Sequence, residues 1–168
     1  MSTPHDFDFF HGDWHGVHRR RADFLDPDSP WGAEFTSTSR CWPLFDGAAN
    51  VDEVDMPHLG SKGLTLRLFD PSTRQWSLHW SSSTSGRLFP PVVGHFVGDR
   101  GEFYGDDSYD AKDVRVRFVW SGVSDASAHW EQAFSVDGGT TWVTNWIMDF
   151  TRPAAAGAAR PVSGTPGV

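Results

Sequence analysis

The chain of 168 residues has one cysteine, two tyrosines, and 14 Lys plus Arg against 22 Asp plus Glu. A lone Cys41 excludes an intrachain disulfide and a cysteine-built zinc cluster. Between Arg40 and Trp42, in a strand-like run, it reads as a buried thiol. The formal charge of −8 offers no basic surface to phosphates, so neither a nucleic-acid partner nor an anionic membrane surface is expected. No apolar run approaches the ~20 residues of a membrane-spanning helix. The start, Met1 to Phe10, carries Asp6 and Asp8 and lacks the basic-then-apolar order of a secretory signal, so the expected location is cytoplasmic. A legible Ser-His-Asp spacing, a Gly-x-Ser-x-Gly elbow and a phosphate-cradling glycine loop are missing as well.

What the chain has in quantity is aromatic rings, 9 Trp and 13 Phe. Many sit at alternate positions between turn-forming residues, the period-two pattern of strands with one buried face. Ten strands are predicted: His11 to Asp23, Gly32 to Trp42, Ala49 to Asp55, Gly63 to Phe69, Gln75 to Ser81, Val92 to Val97, Glu102 to Tyr104, Asp113 to Ser121, Ala128 to Val136 and Thr141 to Arg152. A single helical turn is expected near Asp6 to Phe10. Residues 1–152 read as one domain, and the Pro-, Ala- and Gly-rich stretch 153–168 reads as a disordered tail. Short turns between sequence neighbours imply antiparallel pairing. A meander with one apolar face buries it most economically by closing on itself, which also removes its edges. The fold class expected is therefore all-β, a closed antiparallel up-and-down barrel of about ten strands.

Alternation assigns the faces. Leu64, Leu66 and Leu68 share one side of the fourth strand, and Trp76, Leu78 and Trp80 one side of the fifth. Val114, Val116, Phe118 and Trp120 group on the eighth, Trp130, Gln132 and Phe134 on the ninth, and Trp142, Thr144, Trp146, Met148 and Phe150 on the tenth. The opposite sides carry Arg67, His79, Arg115, Arg117, Glu131, Asn145 and Asp149. This polar set forms an outer ladder unless a bulge or twist turns part of it inward. Residues 135–142, Ser-Val-Asp-Gly-Gly-Thr-Thr-Trp, fit the Asp-box hairpin pattern. A single copy argues for one hairpin and against a propeller. His5, His11, His15 and His18 cluster early, but a metal site wants three or four convergent ligands, and none is expected here.

The motifs Phe7-Asp8-Phe9-Phe10-His11-Gly12-Asp13-Trp14, Ala49-Asn50-Val51-Asp52-Glu53, Leu66-Arg67-Leu68-Phe69-Asp70-Pro71, Gly101-Glu102-Phe103-Tyr104-Gly105-Asp106 and Trp130-Glu131-Gln132-Ala133-Phe134-Ser135, followed by Asn145-Trp146, occur in that order. Over Phe7 to Arg152 the chain thereby resembles a bacterial family of lipocalin-like (calycin-type) small β-barrel proteins, most without an assigned activity. The resemblance implies a closed barrel around an apolar cavity, with Trp14 plugging the closed end. Barrels of this kind include carriers of hydrophobic metabolites, haem-binding proteins and cofactor-free cyclases.

The leading expectation is a barrel that binds a hydrophobic or conjugated small molecule, such as a secondary metabolite, without a cofactor. Its lining would be Trp80, Phe118, Trp120, Trp130, Trp146 and Met148, with Gln132 and Thr144 as orienting polar groups. Arg67, Arg117, Glu131 and Asn145 would join them if the ladder turns inward. The second expectation is a cyclase, isomerase or dehydratase in the same cavity, with Glu131 or His79 moving a proton and Arg117 stabilising negative charge. The third is a haem or nitric-oxide binder with His79 or His129 as axial ligand. The fourth is a self-associating structural protein; a homodimer is compatible with any of these.

Overall fold

The computed structural model of the protein describes residues 2–154, so the tail expected over 153–168 lies outside the described residues from position 155 onward. Ten strands form one closed barrel: β1 Gly12–Arg20, β2 Phe35–Leu44, β3 Ala49–Met56, β4 Ser61–Asp70, β5 Gln75–Ser82, β6 Val92–Val97, β7 Arg100–Tyr109, β8 Lys112–Ser121, β9 Ser127–Ser135 and β10 Val143–Thr151. Each strand pairs antiparallel with its sequence neighbours, and β1 closes the ring against β10, with His15 opposite Thr151 and Arg20 opposite Trp146. The helical content among the described residues is three single 3-10 turns, the first at Asp8–Phe10. No helix there is long and apolar enough to cross a membrane.

All ten strands were legible as alternating runs between turn residues, and the differences are informative. β7 extends to Tyr109 rather than stopping at Tyr104. Gly105-Asp106-Asp107-Ser108 looks like a turn by composition, yet it stays in register with Val116-Arg115-Val114-Asp113 of β8. Tertiary pairing overrides a weak local preference there. On β4 the face assignment reverses. Leu64 is 40% exposed, whereas Arg67 is 3% exposed and points into the barrel. Gly63, Thr65 and Phe69 share Arg67's side by alternation. Gly63 fixes that phase, because a Cβ there would overlap the Trp80 indole reaching across from β5.

One end, here called the base, is filled by the N-terminal segment. Phe7 and Phe10 are completely buried against Trp14, Trp76, Phe96, Phe103 and Trp120. Edge-to-face contacts dominate, such as Phe7–Trp76 and Phe7–Phe96, both with ring centres 5.0 Å apart, the favoured geometry of aromatic quadrupoles. The segment is also tied by hydrogen bonds. Trp76 Nε1 donates to the Thr3 carbonyl (3.1 Å), Trp14 Nε1 to that of Phe10 (2.8 Å), and the Phe96 amide to Ser2 Oγ (2.9 Å). Arg152 locks the base from outside. Its guanidinium lies 3.7 Å from the Trp14 ring centre and donates to the Phe9 and Asp13 carbonyls. Trp14 is thus structural, and Cys41 is buried with its thiol pushed up to about 12 by that burial, an inert thiol.

The β9–β10 hairpin closes as its sequence suggests. Asp137 accepts from the Thr140 and Thr141 amides and from the Ser135 and Thr141 hydroxyls, which holds its carboxyl far below the usual range. Gly138 and Gly139 take φ of 71° and 96°, a region closed to most side chains.

Candidate ligand cavity

Between the base and the mouth the barrel is not filled. The centre of a water-sized sphere can occupy about 60 Å³ there. The walls are mostly apolar: Phe10, Val54, Met56, Leu78, Trp80, Phe118, Trp120, Trp130, Trp146, Met148 and Phe150, with Asp52, Thr65, Arg67 and Gln132 as the polar members. The rings pack edge to face around the space. Phe118 meets Trp130 at 4.9 Å, Trp130 meets Trp146 at 6.0 Å, and Trp80 meets Trp146 at 6.4 Å. At the strand ends opposite the base, a separate surface hollow, here called the mouth, is bordered by Arg20, Phe24, Phe35, His58, Leu59 and Tyr109. Arg20 straddles it, with its guanidinium 4.4 Å from the Trp146 ring centre and 4.9 Å from that of Phe24.

Of the ten residues expected to bind ligand, eight line this space: Arg67, Trp80, Phe118, Trp120, Trp130, Gln132, Trp146 and Met148. Thr144 and Asn145 do not, for one reason. The β9–β10 register shifts by one residue between Thr144, opposite Ala133, and Trp146, opposite Gln132. The extra residue is Asn145, and a bulge reverses the alternation on its two sides. Thr144 and Trp142 therefore face outward, where Trp142 packs on Tyr104 and Arg117. Asn145 turns inward, is fully buried, accepts from Gln132 Nε2 (2.9 Å) and donates to the Phe24 carbonyl (3.1 Å). It stands behind Gln132 and fixes that side chain.

The three residues considered for catalysis lie on the outer wall, because β5, β8 and β9 run through them without a bulge. Arg117 stacks 4.7 Å from the Trp142 ring centre. Glu131 sits 3.4 Å from His129 Nε2, while His129 Nδ1 meets Asp149 Oδ1 at 2.6 Å. His79 Nε2 pairs with Ser77 Oγ at 3.1 Å. None of these side chains borders the cavity. Among the described residues no group of three His, Cys, Asp or Glu is placed to hold a metal ion.

Two buried polar groupings escaped the sequence reading. The first is on the cavity floor. Arg67 Nη1 donates to Asp52 Oδ1 (2.6 Å) and to Asn50 Oδ1 (2.9 Å). The ion-pair length is that of a charge-assisted bond. Burial pushes the Asp52 carboxyl upward, and the Arg67 charge opposes that push. Register explains the meeting, since Asn50 is directly opposite Arg67 and Asp52 opposite Thr65. The signal available was Asn50 and Asp52 at period two beside valines, in a strand adjoining the one with Arg67.

The second is His18, which is fully buried. Trp146 Nε1 donates to its Nδ1 (3.1 Å), so the ring proton is on Nε2 and is donated to Ser37 Oγ (2.7 Å). Burial first, and the charge of Arg20 second, lower its pKa to about 4. A neutral imidazole of this tautomer cannot take the Ser37 proton, so the pair is not a nucleophile with its base. Its role is to orient Trp146 in the cavity wall.

No protein-family model matches the chain, and no curated protein does. Among solved structures it is similar to an S-type phycobiliprotein lyase from Guillardia theta, with a TM-score of 0.56 and 12% identity over 92% of this chain and 94% of that one. At that identity the likeness is one of fold. It agrees with the closed antiparallel barrel and leaves the bacterial family resemblance without a matching model.

Proposed function

We propose that the protein binds a hydrophobic, flat small molecule inside the barrel, with one ring between Trp80, Phe118, Trp130 and Trp146 and a polar end toward Arg67. One observation carries this reading. An aromatic-walled space is held open next to a buried ion pair that folding alone does not require. Desolvating two charges costs several kcal/mol that apolar packing would avoid, so a pair kept at a cavity floor is well explained by a guest. The space holds about four to six waters, at ~10–15 Å³ each, which is room for one ring. A longer conjugated ligand extends past Arg20 through the mouth. The structural neighbour, a phycobiliprotein lyase, makes a bilin a reasonable member of a test panel.

Binding is preferred to turnover because Glu131, Arg117 and His79 are separated from the lumen by the sheet. A haem in the lumen would meet neither His79 nor His129. The test is titration of tryptophan fluorescence with ring compounds of increasing length, including a bilin and haemin. Saturable quenching by wild-type protein is expected, with loss in Met148→Trp, which fills the space. A wild type with no saturable response to any compound, or a Met148→Trp variant that binds as well as wild type, would overturn the reading.

A further inference from the structure

The chain is acidic, with 22 Asp plus Glu against 14 Lys plus Arg, yet the hollow at the mouth is basic. Arg20, Arg21 and His58 border it, and no Asp or Glu does. The three consecutive arginines where β1 ends are used differently. Arg19 faces Glu34 at 3.8 Å. Arg21 donates to the Thr144 and Ser29 carbonyls. Arg20 has neither a hydrogen-bond acceptor nor an ion pair among the described residues and is held between the Trp146 and Phe24 rings instead. Its Nε is buried, but its two terminal nitrogens are not, and they open on the hollow. Burial pulls its pKa down, with the Tyr109 phenol, not a carboxylate, opposing that pull. Folding has thus already removed part of the water from a cation that it gives no counter-charge.

The rest of the hollow is aromatic. Phe35 of β2 stacks on His58 of the turn after β3, with ring centres 4.9 Å apart and planes within 17°. Phe24 of the loop after β1 stacks on Tyr109 at the end of β7, at 5.4 Å and 11°. In the ring of strands β2 lies to one side of β1 and β7 to the other, so the two stacks flank Arg20. The centre of a water-sized sphere can occupy about 290 Å³ of the hollow, against about 60 Å³ in the lumen. We propose that the mouth is a binding site of its own, for an aromatic carboxylate. The carboxylate takes the terminal N–H groups of Arg20, whose fork matches its two oxygens, and the ring lies between the two stacks. The site is outside the lumen and does not rest on the binding function proposed above.

Calorimetric titration of the full chain with 2-naphthoate and with its neutral analogue 2-acetylnaphthalene tests this. Naphthoate should bind about tenfold more tightly, the effect of a charge-assisted hydrogen bond, and should show intermolecular NOEs to the Tyr109 and His58 rings. Arg20→Gln should abolish the preference. Arg19→Gln, which removes the same charge one residue away but outside the hollow, should keep it. Met148→Trp, which fills the lumen, should keep it too. Equal binding of the two probes, or equal losses in Arg19→Gln and Arg20→Gln, would overturn the site. Naphthoate binding lost in Met148→Trp would place the acid in the lumen, which overturns the mouth site while the binding function stands. If Arg20→Gln does not fold, the wild-type preference and the NOEs decide. Naphthoate held at the mouth by a protein whose lumen answers to no ring compound would leave this site standing and remove the lumen reading.

Discussion

The base and the lumen of this barrel are built from the same rings and behave as different materials. At the base, Phe7 and Phe10 enter from a segment outside the sheet and bring the rings to contact, so nothing is left open. A few ångströms further, the rings other than that of Phe10 come from the strands, and β-barrel geometry holds them apart around a space. Aromatic content alone therefore does not make a binding site. What matters is whether something other than the wall supplies the filling.

That contrast can be broken most strongly at Phe7. Phe7→Ala removes a fully buried ring from the plug and should lower stability by about 3–5 kcal/mol in urea unfolding. Met148→Trp, in the lumen, should change unfolding far less while abolishing probe binding. Equal damage from both would mean that the lumen is as tightly packed as the base.

The next effect is on the lumen wall and is read as pH dependence. His18 has its pKa lowered from 6.5 to about 4 in the folded protein, so the unfolded chain binds the proton more readily. The stability associated with the neutral ring is fully present above pH 6.5 and is lost as pH falls from 6.5 toward 4. The change is about 3 kcal/mol at 1.36 kcal/mol per pK unit. Unfolding measured across that window should show the slope, and His18→Gln should flatten most of it. A smaller change comes from Gly63→Ala, whose new methyl would displace the Trp80 ring. Overpacking of this kind costs about 1–3 kcal/mol, and ring-probe affinity should fall with it. Smallest of all, Glu131→Gln on the outer wall should leave stability within about 0.5 kcal/mol and probe affinity unchanged. A lost titration there would erase the distinction between inside and outside.

The strands and the ring closure were legible because hydrophobic alternation and turn chemistry agree along nearly the whole chain. Individual side chains were less so, for local reasons. Period two cannot be read through a one-residue bulge, and Asn145 is that residue. On β4 the leucine count pointed one way, while the space needed by Trp80 over Gly63 set the other phase. Asp52 and Asn50 were missed because each gains meaning only beside Arg67, a partner on the next strand. The plug was missed because Phe7 and Phe10 lie outside any strand, in a turn too short to show periodicity.

The ring of strands is not uniformly sewn. β7 and β8 are joined over nine residue pairs, whereas β5 and β6 share three, Trp76 to Leu78 with Gly94 to Val92. Above that short stitch Trp80 is tied to the crossing loop by a single main-chain bond from the Phe89 amide. Parting the wall at this slit breaks fewer ladder bonds than parting it along β7–β8, and it opens directly beside the indole that lines the chamber. The cohesion of the wall at this seam therefore falls to the Ser81–Leu88 bridge and the Phe89 amide bond to the Trp80 carbonyl.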